Sequence, residues 1–243
     1  MDEAAGTRIN KFIAESGYCS RREADRIIGL GRVTLDEQPV EPGTKVMPGQ
    51  IVRIDGEPIL KDDDLVYIAL NKPIGIICTT DSSRDDNIVR FVGHEKRIFP
   101  IGRLDRDSEG LILLTNDGNI VNKILRAANA HEKEYIVTVD RPITDEFLSG
   151  MAGGVPILET TTLPCRITAE GPRTFRIILT QGLNRQIRRM CEHFGYDVLR
   201  LVRVRVMHIT LGKLRPGEWR NLTAKEIAEI NRLTRNSRQT SAG

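Results

Sequence analysis

One short stretch of this chain concentrates the groups that nucleophilic and acid–base chemistry need. Between Gly102 and Gly118 lie Asp105, Asp107, Glu109 and Asp117, with Arg103 and Arg106 among them, and the polar part runs straight into the apolar Leu111–Leu114. A polar loop bracketed by Gly102 and Gly110 and held on a buried strand is a natural place for an active site. Its carboxylates admit three readings: a metal cluster, a nucleophile, or caps and turn residues, the last fitting Asp107 and Asp117. A second stretch, from about Asn184 to Phe194, predicts a helix. At about 100° per residue, Ile187, Met190, Cys191 and Phe194 share one arc, and Arg185, Arg188, Arg189 and Glu192 share the opposite one. One face is then core, and three arginines project together from the other. Planar guanidinium groups suit phosphate and carboxylate partners; a solvated basic face with nothing bound is the plain alternative.

The elements that must position these residues fall into two textures. Residues 7–60 form a compact module, with a short helix from Arg8 to Glu15 stopped at Ser16-Gly17. Ser20 opens a second helix and Glu23 follows three residues later, the spacing of a reciprocal capping box. Ala24, Ile27 and Ile28 share a face of that helix, and Gly29 and Gly31 end it. Strands are expected at Arg32–Leu35 and Gln50–Ile54. Gly56 to Asp64, with Pro58 and three consecutive aspartates, reads as a linker. From residue 61 to 235 strands and helices alternate. Strands are expected at Leu65–Leu70, Ile74–Cys78, Leu111–Leu114, Glu134–Asp140 and Thr174–Thr180. Helices are expected at Asn119–Ala128, at Asn184–Phe194 and at Ala224–Leu233. Residues 236–243 are polar and are expected to be disordered.

Bulk properties narrow the class. The chain has 243 residues, 40% of them hydrophobic and 28% charged, a globular composition with room for one large domain and one small one. No apolar run approaches the roughly 20 residues of a membrane helix. Met1-Asp2-Glu3 is acidic with no apolar run behind it, so a signal peptide is not expected. Cys19, Cys78, Cys165 and Cys191 are scattered without short spacing, which favours a reducing cytoplasm over disulfides or a zinc site. His94, His131, His193 and His208 show no metal spacing either, and Cys191 falls on the apolar helix face. Net charge is only +3, but residues 184–220 hold nine Lys/Arg against three Asp/Glu, while residues 1–60 hold eight against ten. A basic segment in a near-neutral chain fits a nucleic-acid partner or a solvated face.

The strings themselves resemble a known family. GRLDRDSEGLILLTNDG (102–118) resembles the catalytic motif of the small-subunit-type (RsuA/RluB/RluE/RluF) ribosomal RNA pseudouridine synthases. RINKFIAESGYCSRREADRII (8–28) is similar to the small RNA-binding domain of the S-four, or alpha-L, type. ALNKPIGII (69–77), KEYIVTVD (133–140), GLNRQIRRMCEHFGY (182–196) and GEWRNLT (217–223) resemble the family's remaining motifs in order. NKILRAANAHEKEYIVTVDRPITDEF and GVPIL resemble a subgroup that acts on 23S ribosomal RNA. The resemblance implies an α/β (α+β) fold: a small N-terminal RNA-binding domain, then a mixed, largely antiparallel catalytic sheet with a central cleft.

It also implies roles. Asp105 would be the nucleophile, attacking the sugar or removing a sugar proton. Tyr135 would stack on the target base and assist proton transfer, and Arg188 would pair with Asp105 to keep it ionised and oriented. Arg103 would hold the flipped nucleotide, which must leave its stack to react. Arg21, Arg22 and Arg26 would contact phosphates of folded RNA, with Arg185 and Arg189 adding to the basic surface and Lys72 either near the site and its RNA or part of a structural turn at Lys72-Pro73. The reaction is an isomerisation, so neither cofactor nor metal is expected, and the enzyme is expected to be a monomer. Rival readings are a sister synthase acting on small-subunit or transfer RNA, a non-catalytic ribosome-assembly factor on the same scaffold, and a metal nuclease using Asp105, Asp107 and Glu109.

Overall fold

The computed structural model describes residues 6–61, 64–125 and 130–235. The chain divides into two compact units, one reaching Leu65 and including Glu95–Arg97, the other holding the rest. In the first unit β1 (Thr7–Arg8) leads into α1 (Ile9–Glu15) and α2 (Arg21–Gly29). β2 (Val33–Leu35), β3 (Gln38–Pro39), β4 (Lys45–Val46), β5 (Val52–Ile54) and β6 (Glu57–Ile59) follow. β1 pairs with β4, and the other four strands form a sheet in the order β3-β2-β5-β6. Ile9, Ile13, Ala24, Ile27, Ile28, Val33 and Val52 form its buried core, as the helical spacing requires. The capping box at Ser20 is half made. Ser20 Oγ accepts from Glu23 N, but the Glu23 carboxylate is held by Arg26. The Asp62-Asp63 part of the expected linker lies outside the described residues.

The second unit opens with β7 (Tyr67–Lys72), α3 (Ile88–Val92), β8 (Phe99–Ile101), β9 (Glu109–Thr115), α4 (Gly118–Leu125) and β10 (Lys133–Val139). Then come α5 (Asp145–Gly153), β11 (Pro156–Ile157), β12 (Thr160–Thr161), β13 (Arg166–Gly171) and β14 (Thr174–Leu179). It closes with α6 (Gln186–His193), β15 (Val198–Val206), β16 (Ile209–Thr210), β17 (Trp219–Asn221) and α7 (Ala224–Thr234). Among the described residues the main sheet runs β13-β14-β10-β15-β9-β7-β17, with β8 and β16 paired at its side. Every pairing in it is antiparallel except β15 with β9.

Both faces of β7 and β9 are covered, which is why these strands read as continuous apolar runs rather than alternating ones. Ala69, Leu111 and Leu113 pack beneath α4 and α7, while Ile68, Leu70, Ile112 and Leu114 pack on the other face with α3. A separate core under β10 and β14 gathers Val137, Phe175 and Ile177 with Phe147, Met151, Met190 and Cys191.

The expected linker begins as the strand β6, an expected strand is absent, and a central strand was not foreseen. Ile74–Cys78 is not a strand: Pro73 leads into a turn at Ile74-Gly75, with Gly75 at φ +94°, and only Ile77 makes an isolated bridge, to Asn87. The expected helix at Asn119–Ala128 is seen as α4, and its end, like the tail at 236–243, lies outside the described residues. β15, the central strand that joins the two halves of the sheet, was not expected at all.

The parallel step between β9 and β15 decides where the carboxylate loop goes. Arg203 pairs with Gly110, so the loop just before β9 is laid against the middle of β15. Gly110 permits this contact: its φ is +108°, and a Cβ there would lie 2.3 Å from the Arg203 carbonyl oxygen. No other residue type fits that backbone and that approach.

Candidate active site

The carboxylate loop is fixed from several sides. Leu104 is buried and its N–H donates to Cys78 Sγ at 3.3 Å. Ser108 N–H closes a turn on Asp105 O at 3.1 Å. The turn after β7 is tied to the same loop, with Gly75 N–H donating to Arg106 O and Arg106 Nε to Gly75 O. Asp105 therefore sits on a constrained backbone, and its side chain lines a cleft of about 430 Å³. That size lies within the range of small-molecule sites.

Tyr135 reaches the same cleft from β10, and Arg185 and Arg188 reach it from the start of α6. Arg103 lines it beside Asp105. The structure thus brings the residues expected to carry the chemistry onto one cavity. It corrects how the arginines are used. Arg185 is not part of the helical face; it is the residue before α6, in the left-handed conformation at φ 48°. From there it grips Asp107 with both terminal nitrogens, at 3.2 and 3.3 Å, and brings Nη1 to 3.7 Å from Asp105 Oδ2.

Arg188, expected to pair with Asp105, is turned onto the loop backbone instead. It donates to Asp107 O at 3.0 Å, Ser108 Oγ at 3.2 Å and Val198 O at 3.1 Å, and approaches the Asp107 carboxylate at 3.4 Å. Arg189 folds back on Asn184. So the three arginines do not project together. Burial alone would raise the Asp107 carboxyl, but the hydrogen bond from Arg185 and the charge of Arg188 outweigh it and hold the group below its ordinary range.

Lys72 follows the structural-turn reading, and its expected contact with RNA is corrected. It is completely buried, and its ammonium donates to the carbonyls of Pro73 and Ile76 at 2.9 and 2.8 Å. Burial pushes its pKa down, against the opposing fields of Cys78, Asp105 and Asp107. It braces the turn behind the loop and presents nothing to RNA phosphates. Arg21 and Arg22 are exposed on α2, whereas Arg26 is taken up by Glu23. The metal-cluster reading of the loop fails on geometry, because Asp107 is held by Arg185 and Glu109 by Arg200 rather than converging with Asp105. Among the described residues no group of three His, Cys, Asp or Glu is arranged to hold a metal ion.

Two cleft residues were not singled out in the sequence. Lys133 and Arg203 stand on the cleft face of β10 and β15 and are 7% and 3% exposed. Arg203 is placed by a bulge. Glu134 pairs with Arg205 but Tyr135 pairs with Arg203, leaving Val204 as the extra residue. Strict alternation would put Arg203 and Arg205 on one face. The bulge sends Arg205 to Glu134 and Glu132 on one side and Arg203 beside Tyr135 on the other. The irregular spacing of Arg200, Arg203 and Arg205 in an otherwise apolar run was the available signal.

Residues 66–193 match the family described as RNA pseudouridylate synthase. This chain belongs to that family. Residues 7–52 match the S4 domain, so the small unit with α1 and α2 is the RNA-binding module of this RNA pseudouridine synthase. The chain is 57% identical over 235 residues to the dual-specificity RNA pseudouridine synthase RluF of Escherichia coli K12, covering 96% of this chain and 81% of that protein. The RluF of Salmonella typhi is 58% identical over 233 residues, covering 95% and 81%. An RNA pseudouridine synthase of Mycobacterium tuberculosis, Rv1711, is 36% identical over 239 residues, covering 94% of each. Among solved structures, one described as a pseudouridylate synthase is similar with a TM-score of 0.67 and 28% identity, covering 92% of this chain and 99% of that one.

Proposed function

We propose that this pseudouridine synthase isomerises one or a few uridines in large-subunit (23S) ribosomal RNA, with Asp105 as the group that acts on the ribose. The observation that carries this reading is the division of labour among the loop carboxylates. Asp107 and Glu109 are spent on Arg185 and Arg200, whereas Asp105 faces the cleft with Arg185 Nη1 at 3.7 Å. A carboxylate so placed is available to a sugar carbon or a sugar proton.

In the reaction the C1′–N1 bond breaks, the base turns, and C5 bonds to C1′. The target uridine enters the cleft flipped out of its stack. Tyr135 lies against the base, and Arg103 holds the displaced nucleotide. Arg188 acts through the loop: it orders the Asp107-Ser108 backbone that carries Asp105. Arg21 and Arg22 of the S4 domain, with Arg26 when it leaves Glu23, contact phosphates, and Arg189 adds charge near the cleft mouth. The enzyme works as a cytoplasmic monomer, without cofactor or metal.

Because the E. coli relative is named as dual-specific, transfer RNA is the second substrate to test. The experiment is a pseudouridine map of total RNA from cells with and without the gene, by chemical derivatisation and primer extension. A site lost in 23S ribosomal RNA supports the proposal and names the target. A site lost only in small-subunit or transfer RNA replaces the substrate. No lost site in any RNA, with redundant enzymes removed, supports an assembly factor that no longer catalyses.

A further inference from the structure

Arg203 is a buried cation, 3% exposed. Its Nε donates to Leu111 O at 2.6 Å and its Nη1 to Arg103 O at 3.5 Å. Its Nη2 is buried and has no hydrogen-bond partner. Among the described residues no carboxylate lies within ion-pair distance of it. Two positions from its cross-strand partner Tyr135, on the same face of β10, stands Lys133, whose ammonium among the described residues donates to His131 O, at 3.4 Å. Burial, and then the charge of Arg203, push Lys133 down to about 8. Both residues line the cleft that holds Asp105.

Two desolvated cations with unspent donors are costly in a folded protein unless they serve a partner. The reaction supplies one of the right sign. When C1′–N1 breaks, the electron pair leaves with the base, and the detached uracil is an anion whose charge is spread over N1 and the two carbonyl oxygens. The electron deficit at C1′ is met by the Asp105 carboxylate, either by bonding to C1′ or by removal of a sugar proton. When C5 then bonds to C1′, the Asp105–C1′ bond breaks or the sugar proton returns to its carbon, the C5 proton is released and N1 takes up one, so the sum is an isomerisation.

We propose that Arg203 and Lys133 form the anion site for the detached base, donating to the carbonyl oxygens of uracil from the β10–β15 side of the cleft. Donors fixed in a dry cavity at the place where charge develops stabilise the transition state more than the ground state. Asp105 and this pair then divide the reaction between them, the carboxylate meeting the sugar and the two cations meeting the base. The inference rests on the reading of Asp105 as the group that acts on the ribose.

The test uses the full chain and an unmodified transcript of the RNA segment that mapping identifies, in single turnover, with conversion followed by nucleoside mass spectrometry. The same segment is also made with 5-fluorouridine, whose base is a more stable anion and needs less help to leave; its C5 carries fluorine in place of the proton that uridine releases, so its reaction is followed as loss of the 5-fluorouridine nucleoside. For Arg203→Met we expect a rate loss on uridine of about 100-fold, a much smaller loss on 5-fluorouridine, and RNA affinity within about two-fold of wild type. Lys133→Met should lose less but show the same narrowing, and it decides the matter alone if Arg203→Met does not fold. An equal loss on both transcripts, or weakened RNA affinity at an unchanged rate, overturns the anion site. If the wild-type chain and Asp105→Asn convert uridine equally, the reading of Asp105 fails, which is a separate result.

Discussion

Arg185 stands between two carboxylates, gripping Asp107 with both terminal nitrogens while Nη1 lies 3.7 Å from Asp105 Oδ2. It does so from a left-handed backbone, φ 48°, that a residue with a Cβ enters at a penalty of roughly 1–2 kcal/mol. Strain held at a cleft residue marks a position kept for function rather than stability. Arg185→Gly should therefore cut pseudouridine formation by at least about ten-fold while leaving the melting temperature unchanged or higher. Single-turnover assays and thermal melts check this. Lowered stability with full activity would count against it.

Arg188 should behave differently. Its three hydrogen bonds join α6 to the Asp107 carbonyl, the Ser108 hydroxyl and the Val198 carbonyl. Arg188→Gln should slow the reaction by about 100-fold and also loosen the loop, since it removes charge-assisted bonds from a largely buried site. Hydrogen exchange at residues 104–109 should rise with the loss of rate. A slowed enzyme with unchanged exchange would point to direct contact with substrate instead.

Gly110→Ala should be poorly tolerated. The added Cβ would meet Arg203 O at 2.3 Å and Arg203 N at 2.6 Å, backbone atoms that cannot swing aside, at a φ of +108°. Urea unfolding should show a loss of about 3 kcal/mol or more. A loss under about 1 kcal/mol would mean that the β9–β15 step relaxes easily.

Acid should weaken the start of α7. Glu226 completes a reciprocal cap with Thr223 and also binds Arg220, and chiefly that hydrogen bond to Arg220 lowers its carboxyl to about 2. A folded-state pKa below the unfolded one contributes stability that is whole above the unfolded value, near 4.5, and is lost as pH falls toward 2. Melting temperatures of wild type and Glu226→Gln should differ at pH 6 and converge by about pH 2. A constant difference across that window would contradict the assignment.

RNA binding by the S4 domain should divide the three arginines of α2. Arg21→Ala with Arg22→Ala should weaken affinity and lower the salt dependence, by up to about two in the slope of log K against log salt. Arg26→Ala should do less, because its guanidinium is already paired with Glu23. Titrations at several salt concentrations decide this, and an unchanged slope in the double variant would remove α2 from the interface.

Local signals carried much of the fold, and long-range pairing carried the rest. The α2 core face, the Leu111–Leu114 run and the apolar arc of α6 were legible because each follows from spacing within one element. The loop of Asp105 was legible as a polar insert before a buried strand. Its partners were not. Whether Arg185 or Arg188 meets Asp105 depends on one left-handed residue at the helix start, which periodicity cannot see. Lys72 was open between a place near the site and a structural turn, because nothing near it in sequence announces that two carbonyls of its own turn receive the ammonium. Arg203 stayed hidden because β15 alternates imperfectly, and the bulge that aims it is a property of its pairing with β10.

Asp105, alone among the loop carboxylates, is proposed to act on the ribose. Asp105→Asn keeps the shape of the side chain and removes its charge. The measurement is single-turnover pseudouridine formation by this variant, beside its RNA affinity, with Asp107→Asn as the comparison. No detectable pseudouridine is expected from Asp105→Asn at near wild-type affinity, and a slowed but measurable reaction from Asp107→Asn. Pseudouridine formation by Asp105→Asn at the wild-type rate would contradict that role.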